Sequence, residues 1–264
     1  MKLSPSDFSE RKKNKQKITM VTCYDYTSAC LVNKSAVDCV LVGDSCANVM
    51  YGEETTIPAT VRMIAEHTRA VHRGLHDKFL VADMPFLSTR TGISHGTRSA
   101  GMLIRAGADA VKIEGADGNT ELIRHLVESG IPVMGHIGLT PQFYHAFGGY
   151  KVQGRSDAAA AKLLADADAL EKAGCFAVAA ECIPAEVTRT ITNTLNIPLI
   201  GIGAGAAADG QVLVLHDLLG LTSFKPKFVR RYLDGAQLVC NALDAYCADV
   251  STGVFPAEEE TFAK

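Results

Sequence analysis

The sequence predicts a (β/α)8 TIM barrel with a helical C-terminal extension. Three observations carry this: eight short apolar runs alternate with helical segments, the helix-to-strand connections repeat one turn chemistry, and no composition break divides the 264 residues. The strand candidates are Ile18–Cys23, Cys39–Gly43, Phe79–Ala82, Ala110–Ile113, Pro132–His136, Phe176–Ala180, Pro198–Ile202 and Val212–Leu215. Most are nearly continuous in apolar residues, as parallel strands covered on both faces are. An open, doubly wound sheet is the alternative arrangement of the same units.

Taken in order, the elements support that reading. Residues 1–17 are polar and lysine-rich and carry no apolar signal-peptide core. Thr60 is placed to cap a helix in which Val61, Ile64, Ala65, Thr68 and Val71 recur at helical spacing. Ser156 is placed to cap an alanine-rich helix through Ala173. Gly107, Gly130, Gly174 and Asn196 each follow a helical segment, where a left-handed residue turns the chain into the next strand. Two strand-to-helix connections, Gly43–Pro58 and Gly138–Arg155, are long and lack clear periodicity, a property of functional loops. The second carries Phe143, Tyr144, Phe147 and Tyr150, which either close over a ligand or pack on their own rim. Asp217–Ala248 holds the last helices, and Pro256–Lys264 reads as an exposed tail. The whole chain, 1–264, reads as one domain.

Composition narrows the function classes. Hydrophobic residues make up 47%, and the formal net charge is −3, which gives no reason to expect nucleic acid or an anionic membrane surface. No apolar run reaches the roughly 18 residues of a membrane span. Eight cysteines without a CxxC pair fit reduced thiols in the cytoplasm, with Cys23, Cys39, Cys175 and Cys182 acting as small apolar residues. His67, His72, His76 and His95 fall on or beside helices without convergent partners and read as surface or rim residues. Gly201-Ile202-Gly203-Ala204-Gly205 follows the seventh strand and lacks the full dinucleotide spacing, so it reads as a tight turn or a close backbone approach.

The chemistry concentrates at strand ends. Asp44, Asp83, Glu114, His136 and Glu181 each follow an apolar run, at the C-terminal edge where barrel active sites assemble. Lys112 and Glu114 are two residues apart and share a face; on the outer face they would meet the apolar helix layer, so they point inward. Alone, the pair reads equally as a buried structural ion pair. Beside Asp44 and Asp83 it reads as a cluster of carboxylates that repel unless protonated or bridged by a cation. Oxygen ligands of this kind suit Mg²⁺, which polarises a keto acid carbonyl and stabilises the enolate formed on losing an α-proton. Lys112 is then placed to neutralise a substrate carboxylate, and Glu181 to act as base.

Taken together, the segments Thr22-Cys23-Tyr24-Asp25-Tyr26, Leu41-Val42-Gly43-Asp44-Ser45, Ala82-Asp83-Met84-Pro85-Phe86, Val111-Lys112-Ile113-Glu114-Gly115, Gly135-His136 through Gln142, Phe147 through Arg155, and Glu181-Cys182-Ile183-Pro184 resemble the ketopantoate hydroxymethyltransferase family. The resemblance runs from about Ile18 to Phe262. It implies transfer of a hydroxymethyl unit from 5,10-methylenetetrahydrofolate to 3-methyl-2-oxobutanoate, giving 2-dehydropantoate for pantothenate biosynthesis through a metal-stabilised enolate. It further implies Asp44 and Asp83 as Mg²⁺ ligands with Glu114 beside the metal, and Ser45, Lys112 and His136 at the keto acid. Glu181 is the implied base. A cytoplasmic homo-oligomer, commonly a decamer, is implied as well. Three other readings stay open on the residues alone: a Schiff-base aldolase using Lys112, a mutase or lyase of the phosphoenolpyruvate mutase and isocitrate lyase group, and a non-catalytic barrel.

Overall fold

The structure is a computed structural model and describes residues 2–263. Among these, eight parallel strands close into one barrel in sequence order: β1 (Ile18–Thr22), β2 (Cys39–Val42), β3 (Phe79–Asp83), β4 (Ala110–Glu114), β5 (Val133–Gly138), β6 (Ala177–Glu181), β7 (Leu199–Ile202) and β8 (Gly210–Leu213). Pairing of β8 with β1, Ile18 opposite Gly210, closes the sheet and excludes the open alternative. Each strand lies within two residues of its predicted span. The eighth begins at Gly210 because a Cβ there would stand 2.4 Å from the Ile18 carbonyl oxygen, so only glycine lets the two backbones meet.

The chain divides into two compact units, Met1–Val214 and Leu215–Lys264. The first carries the whole barrel with α1 (Pro5–Lys13), α2 (Tyr26–Asn33), α3 (Cys46–Tyr51), α4 (Val61–Gly74), α5 (Ile93–Arg105), α6 (Thr120–Glu128), α7 (Tyr144–Phe147), α8 (Asp157–Lys172) and α9 (Ala185–Thr194). The second carries α10 (Leu215–Leu218), α11 (Gly235–Thr252) and a 3-10 turn at Glu258–Glu260. In α11, Leu238, Leu243, Tyr246 and Val250 are all exposed. No helix among the described residues is long and apolar enough to cross a membrane.

The expected caps form: Thr60 Oγ1 accepts from the Met63 N–H at 3.2 Å, and Ser156 Oγ from the Ala159 N–H at 3.3 Å. Gly107, Gly130 and Gly174 are left-handed as predicted, but Asn196 is not. There the Glu171 carboxylate accepts from the N–H groups of Asn196 and Ile197 at 2.7 and 3.0 Å, so the turn needs no left-handed residue. The two long connections are more ordered than their sequences indicate, holding α3 in one and α7 with the 3-10 turn Pro141–Phe143 in the other. Cys182 departs from the apolar role assigned to it. It is half-buried and left-handed, with φ 48°, immediately after β6.

The polar N-terminal segment contains a plug for the barrel bottom. Asp7 accepts from the Ser4 N–H at 2.7 Å, and Pro5 opens the helix, so α1 starts with a defined cap. Phe8 is fully buried and packs edge-on against Phe79 and Phe176, at centroid separations of 5.2 and 5.1 Å. The surrounding lysines and arginine meet aspartates at the strand entrances: Lys2 with Asp109 at 2.6 Å, Arg11 with Asp38 at 2.6 Å and Lys12 with Asp209 at 2.8 Å. Each aspartate also accepts a strand N–H, from Leu80, Thr19 and Leu199 respectively.

Above Phe8 the barrel interior follows strict alternation. Ile18 and Met20, Cys39 and Leu41, Phe79 and Val81, Ala110, Met134, Ala177 and Ala179, Ile200 and Val212 form one buried apolar cluster. Continuing each strand by two residues reaches Asp83, Lys112 with Glu114, His136 and Glu181. The polar residues are therefore the top layers of the same inward-facing columns.

Two outcomes test the lower end. Phe8→Ala should cost about 3–5 kcal/mol in denaturant unfolding, the range for a buried aromatic truncated to alanine. Asp38 lies below the ordinary aspartate range: burial opposes this, but the Thr19 N–H and hydroxyl and the Arg11 guanidinium outweigh it. A depressed folded pKa contributes stability above the unfolded value of about 3.9, and that contribution is lost as pH falls through the folded one. Asp38→Asn should therefore be about 1–2 kcal/mol less stable than the parent at pH 7, with the difference shrinking below about pH 4.

Candidate active site

The predicted site residues converge at the C-terminal mouth of the barrel. Register brings them together: Asp83 lies opposite Lys112, Glu114 opposite His136, and Gly138 opposite Glu181. Asp44 arrives from the turn after β2, where its N–H donates to Asp83 Oδ2 at 2.9 Å. That close approach requires Gly43, since a Cβ there would stand 2.8 Å from Ser45 Oγ and 3.4 Å from Asp83 Oδ2. Ser45 Oγ is 2.7 Å from the hydroxyl of the buried Tyr24. At the far side, Gly138 (φ +91°) lets the Leu139 N–H donate to the Glu181 carbonyl at 2.8 Å. A Cβ on Gly138 would collide with that oxygen at 2.2 Å.

The cluster is a buried network of alternating charge. Lys112 Nζ stands 2.7 Å from Asp83 Oδ1 and 3.8 Å from Glu114 Oε1. His136 Nδ1 lies 3.3 Å from Glu114 Oε1, and its Nε2 3.4 Å from Glu181 Oε2. Asp44, Asp83, Lys112, Glu114 and His136 are all buried, whereas the Glu181 side chain keeps 18% exposure and is the most accessible acid of the set.

Burial, then the charges of Asp83 and Glu114, pushes the Asp44 carboxyl well above the usual carboxylate range. Burial also raises Asp83, against the lowering by Lys112. Glu114 sits below its ordinary value because His136 and Lys112 outweigh its burial. Burial and Lys112, whose Nζ lies 3.3 Å from His136 Nδ1, lower His136, yet the Glu114 and Glu181 carboxylates carry it up to about 9. Lys112 is raised above its ordinary value: burial lowers it, but Asp83, Glu114 and Asp44 prevail. A lysine held protonated is a poor nucleophile, which removes the support for a Schiff-base aldolase.

Oxygen donors for a hard cation are present. Asp83 Oδ2 and Glu114 Oε2 are engaged by backbone N–H groups, while Asp83 Oδ1 and Glu114 Oε1 have no hydrogen-bond donor besides the nearby cationic groups. The elevated Asp44 adds the sign of a site with surplus negative charge. Among the described residues, no three His, Cys, Asp or Glu side chains close on one point as a complete metal-ligand set. Two carboxylates completed by water and substrate oxygens match the habit of Mg²⁺, so the donor set fits that ion.

Gln142 is a site residue that the strand-end reasoning missed. It follows β5 by four residues, donates to Asp44 and Glu114, and belongs to no strand-end column. Its sequence signals were its place in the long connection after Gly138 and in the Gly135–Gln142 segment that carries the family resemblance, neither of which assigned it a role. The aromatics beyond it pack largely on one another: Phe143 with Phe147 at 6.0 Å and Tyr144 with Tyr150 at 5.0 Å. His72, His76 and His95 are exposed, and the half-buried His67 bonds the Tyr24 carbonyl and the Tyr51 hydroxyl, all outside the cluster. A separate cavity of about 360 Å³ opens beside β3, lined by Pro58, Thr60, Pro85, Phe86, Leu87 and His95 among others.

Comparison with known proteins now separates the remaining readings. The family model described as ketopantoate hydroxymethyltransferase matches residues 2–258. The chain belongs to that family. It is 54% identical over 258 residues to the 3-methyl-2-oxobutanoate hydroxymethyltransferase of Legionella pneumophila subsp. pneumophila (strain Philadelphia 1), covering 97% of this chain and 98% of the relative. It is 52% identical over 256 residues to the protein of that name from Coxiella burnetii (strain CbuK_Q154), covering 96% of each. Among solved structures it resembles 2,3-dimethylmalate lyase, a member of the PEP mutase/isocitrate lyase superfamily, with TM-score 0.62, 15% identity and coverage of 99% of this chain and 93% of that one. It likewise resembles phosphoenolpyruvate phosphomutase from Streptomyces platensis subsp. rosaceus, with TM-score 0.64, 12% identity and coverage of 99% and 92%. At these identities the likeness is one of fold.

The ion network makes its own prediction. Lys112→Met should cost about 3–5 kcal/mol at pH 7 in EDTA, because it strands buried carboxylates. Those carboxyls then have folded pKa values raised above their unfolded ones, so the variant's stability falls as pH rises. The deficit against the parent should be smaller at pH 5 than at pH 8 in thermal unfolding.

Proposed function

We propose that this family member transfers a hydroxymethyl unit to 3-methyl-2-oxobutanoate, yielding 2-dehydropantoate for pantothenate biosynthesis, with 5,10-methylenetetrahydrofolate as donor. The observation that carries this reading is chain-length identity above one half to relatives bearing the hydroxymethyltransferase name. The donor rests on family membership. Atoms balance when keto acid, methylenetetrahydrofolate and water give 2-dehydropantoate and tetrahydrofolate.

Each residue then has a task. Glu181, the exposed acid of the set, removes the proton from C3 of the keto acid, and the carbanion carbon attacks the donor's one-carbon unit. His136, 3.4 Å away, holds the Glu181 carboxylate in place. Lys112 supplies a fixed positive charge for the substrate carboxylate, and Ser45, steadied by Tyr24, supplies a neutral hydroxyl beside it. Asp44 and Asp83, with Glu114 nearby, would hold Mg²⁺. When bound, that ion supplies Lewis-acid polarisation of the keto group. The protein acts in the cytoplasm as a homo-oligomer, with a decamer as the family's common form; the exposed apolar residues of α11 support burial in an assembly.

An assay of 3-methyl-2-oxobutanoate with methylenetetrahydrofolate tests the reading. Activity should disappear in EDTA and return with Mg²⁺; a metal-replete enzyme forming no folate-dependent product would sink it. Glu181→Gln should lower kcat by about 10²–10⁴-fold with unchanged thermal unfolding. Full activity in that variant would remove Glu181 as the base.

A further inference from the structure

The chain laces four strand ends together at one neutral residue. Gln142 sits on the 3-10 turn Pro141–Phe143, just beyond β5. Its backbone N–H donates to Glu114 Oε2 at 3.1 Å, at the end of β4. Its carboxamide Nε2 donates to Asp44 Oδ2 at 2.9 Å, after β2, and to the Met84 carbonyl at 3.0 Å, after β3. Both Nε2 hydrogens are thereby used. The orientation of the amide is forced: a flipped carboxamide would set its oxygen against a carbonyl and a carboxyl oxygen.

The same turn begins the aromatic segment. Phe143 lies under the Arg90 guanidinium, 5.8 Å from carbon to ring centroid. Tyr150, packed on Tyr144, reaches the Glu54 carbonyl at 3.5 Å. Residues 141–150 are thus tied at the rim by weak contacts and at the root by Gln142. Only the root touches the carboxylates.

We propose that Gln142 is a positioning residue that couples the two: it holds Asp44 and Glu114 in the orientation a divalent cation and keto acid require, and it latches the aromatic segment over the barrel mouth. This deepens the proposed reaction and rests on it for the identity of the ligands. A glutamine suits the role because its carboxamide donates to the buried Asp44 and to the Met84 carbonyl without adding charge, while its backbone N–H holds Glu114. A lysine would neutralise the surplus negative charge itself and compete with the cation. A glutamate would add to the repulsion already felt by Asp44.

The test compares full-length parent and Gln142→Met, which keeps the side-chain length and removes both donors. Mn²⁺ binding is followed by the electron paramagnetic resonance of free ion, and amide exchange is followed over residues 141–150. Steady-state kinetics are measured with the keto acid. Expected are Mn²⁺ affinity weaker by at least about tenfold, the scale for lost hydrogen bonds to charged groups, and faster exchange in 141–150. The KM for keto acid should rise by a larger factor than kcat falls, with the melting temperature held near the parent's. Mn²⁺ affinity and exchange equal to the parent's would overturn the proposal, as would a fall in kcat alone. If Gln142→Met does not fold, Gln142→Leu, which also removes both side-chain donors without adding charge, is judged by the same readouts. A parent that turns over substrate without binding Mn²⁺ removes the metal reading and leaves Gln142 to be judged on exchange and KM. A parent that binds Mn²⁺ but turns over nothing removes the proposed reaction, while affinity and exchange still judge Gln142.

Discussion

The site depends on one interaction, the ammonium of Lys112 held 2.7 Å from Asp83 at the top of a closed barrel. Burying a carboxylate alone is prohibitive, and three acids sit within this layer. Lys112 makes the arrangement tolerable by facing Asp83 and Glu114 at once, and His136 bridges from Glu114 to Glu181. Neither Lys112 nor His136 stands within ion-pair distance of Asp44, and burial with its acidic neighbours pushes that carboxyl well above the usual range. Burial raises Asp83 as well, so the surplus negative charge gathers on the Asp44–Asp83 side of the layer.

The barrel turns alternation into layered chemistry. Because every second side chain points inward, the same columns that fill the lower interior with Phe79, Val81, Ala110, Ala177 and Ala179 present Asp83, Lys112, Glu114 and Glu181 further along the same strands. Fold and site therefore share one cause. Shifting the register of a strand by one residue would expel its polar residue to the helix layer and lose the site together with the core.

That shared cause explains what was legible in the sequence. Apolar runs ending in Asp, Glu or His marked both the strands and the site, and the inward direction of Lys112 and Glu114 followed from their spacing. Three things did not show. Gln142 acts through a turn, and turn geometry has no periodicity to read. Asn196 stands where a left-handed residue was expected, yet a distant carboxylate, Glu171, satisfies the turn instead. The polar N-terminus concealed a single buried aromatic, Phe8, whose partners Phe79 and Phe176 lie far along the chain.

That last feature bears on how the molecule comes to be folded. Residues 2–13 are the first of these to be synthesised, but their partners include Asp109, Phe176, Thr192 and Asp209. The helix has its full set of partners only when the segments that carry Phe176, Thr192 and Asp209 are in place. Contacts of such sequence separation are slow to form and leave apolar surface uncovered meanwhile. The N-terminal helix thus gains its last partners only once the far side of the barrel is in place, and Phe8 seals a ring whose members lie far along the chain.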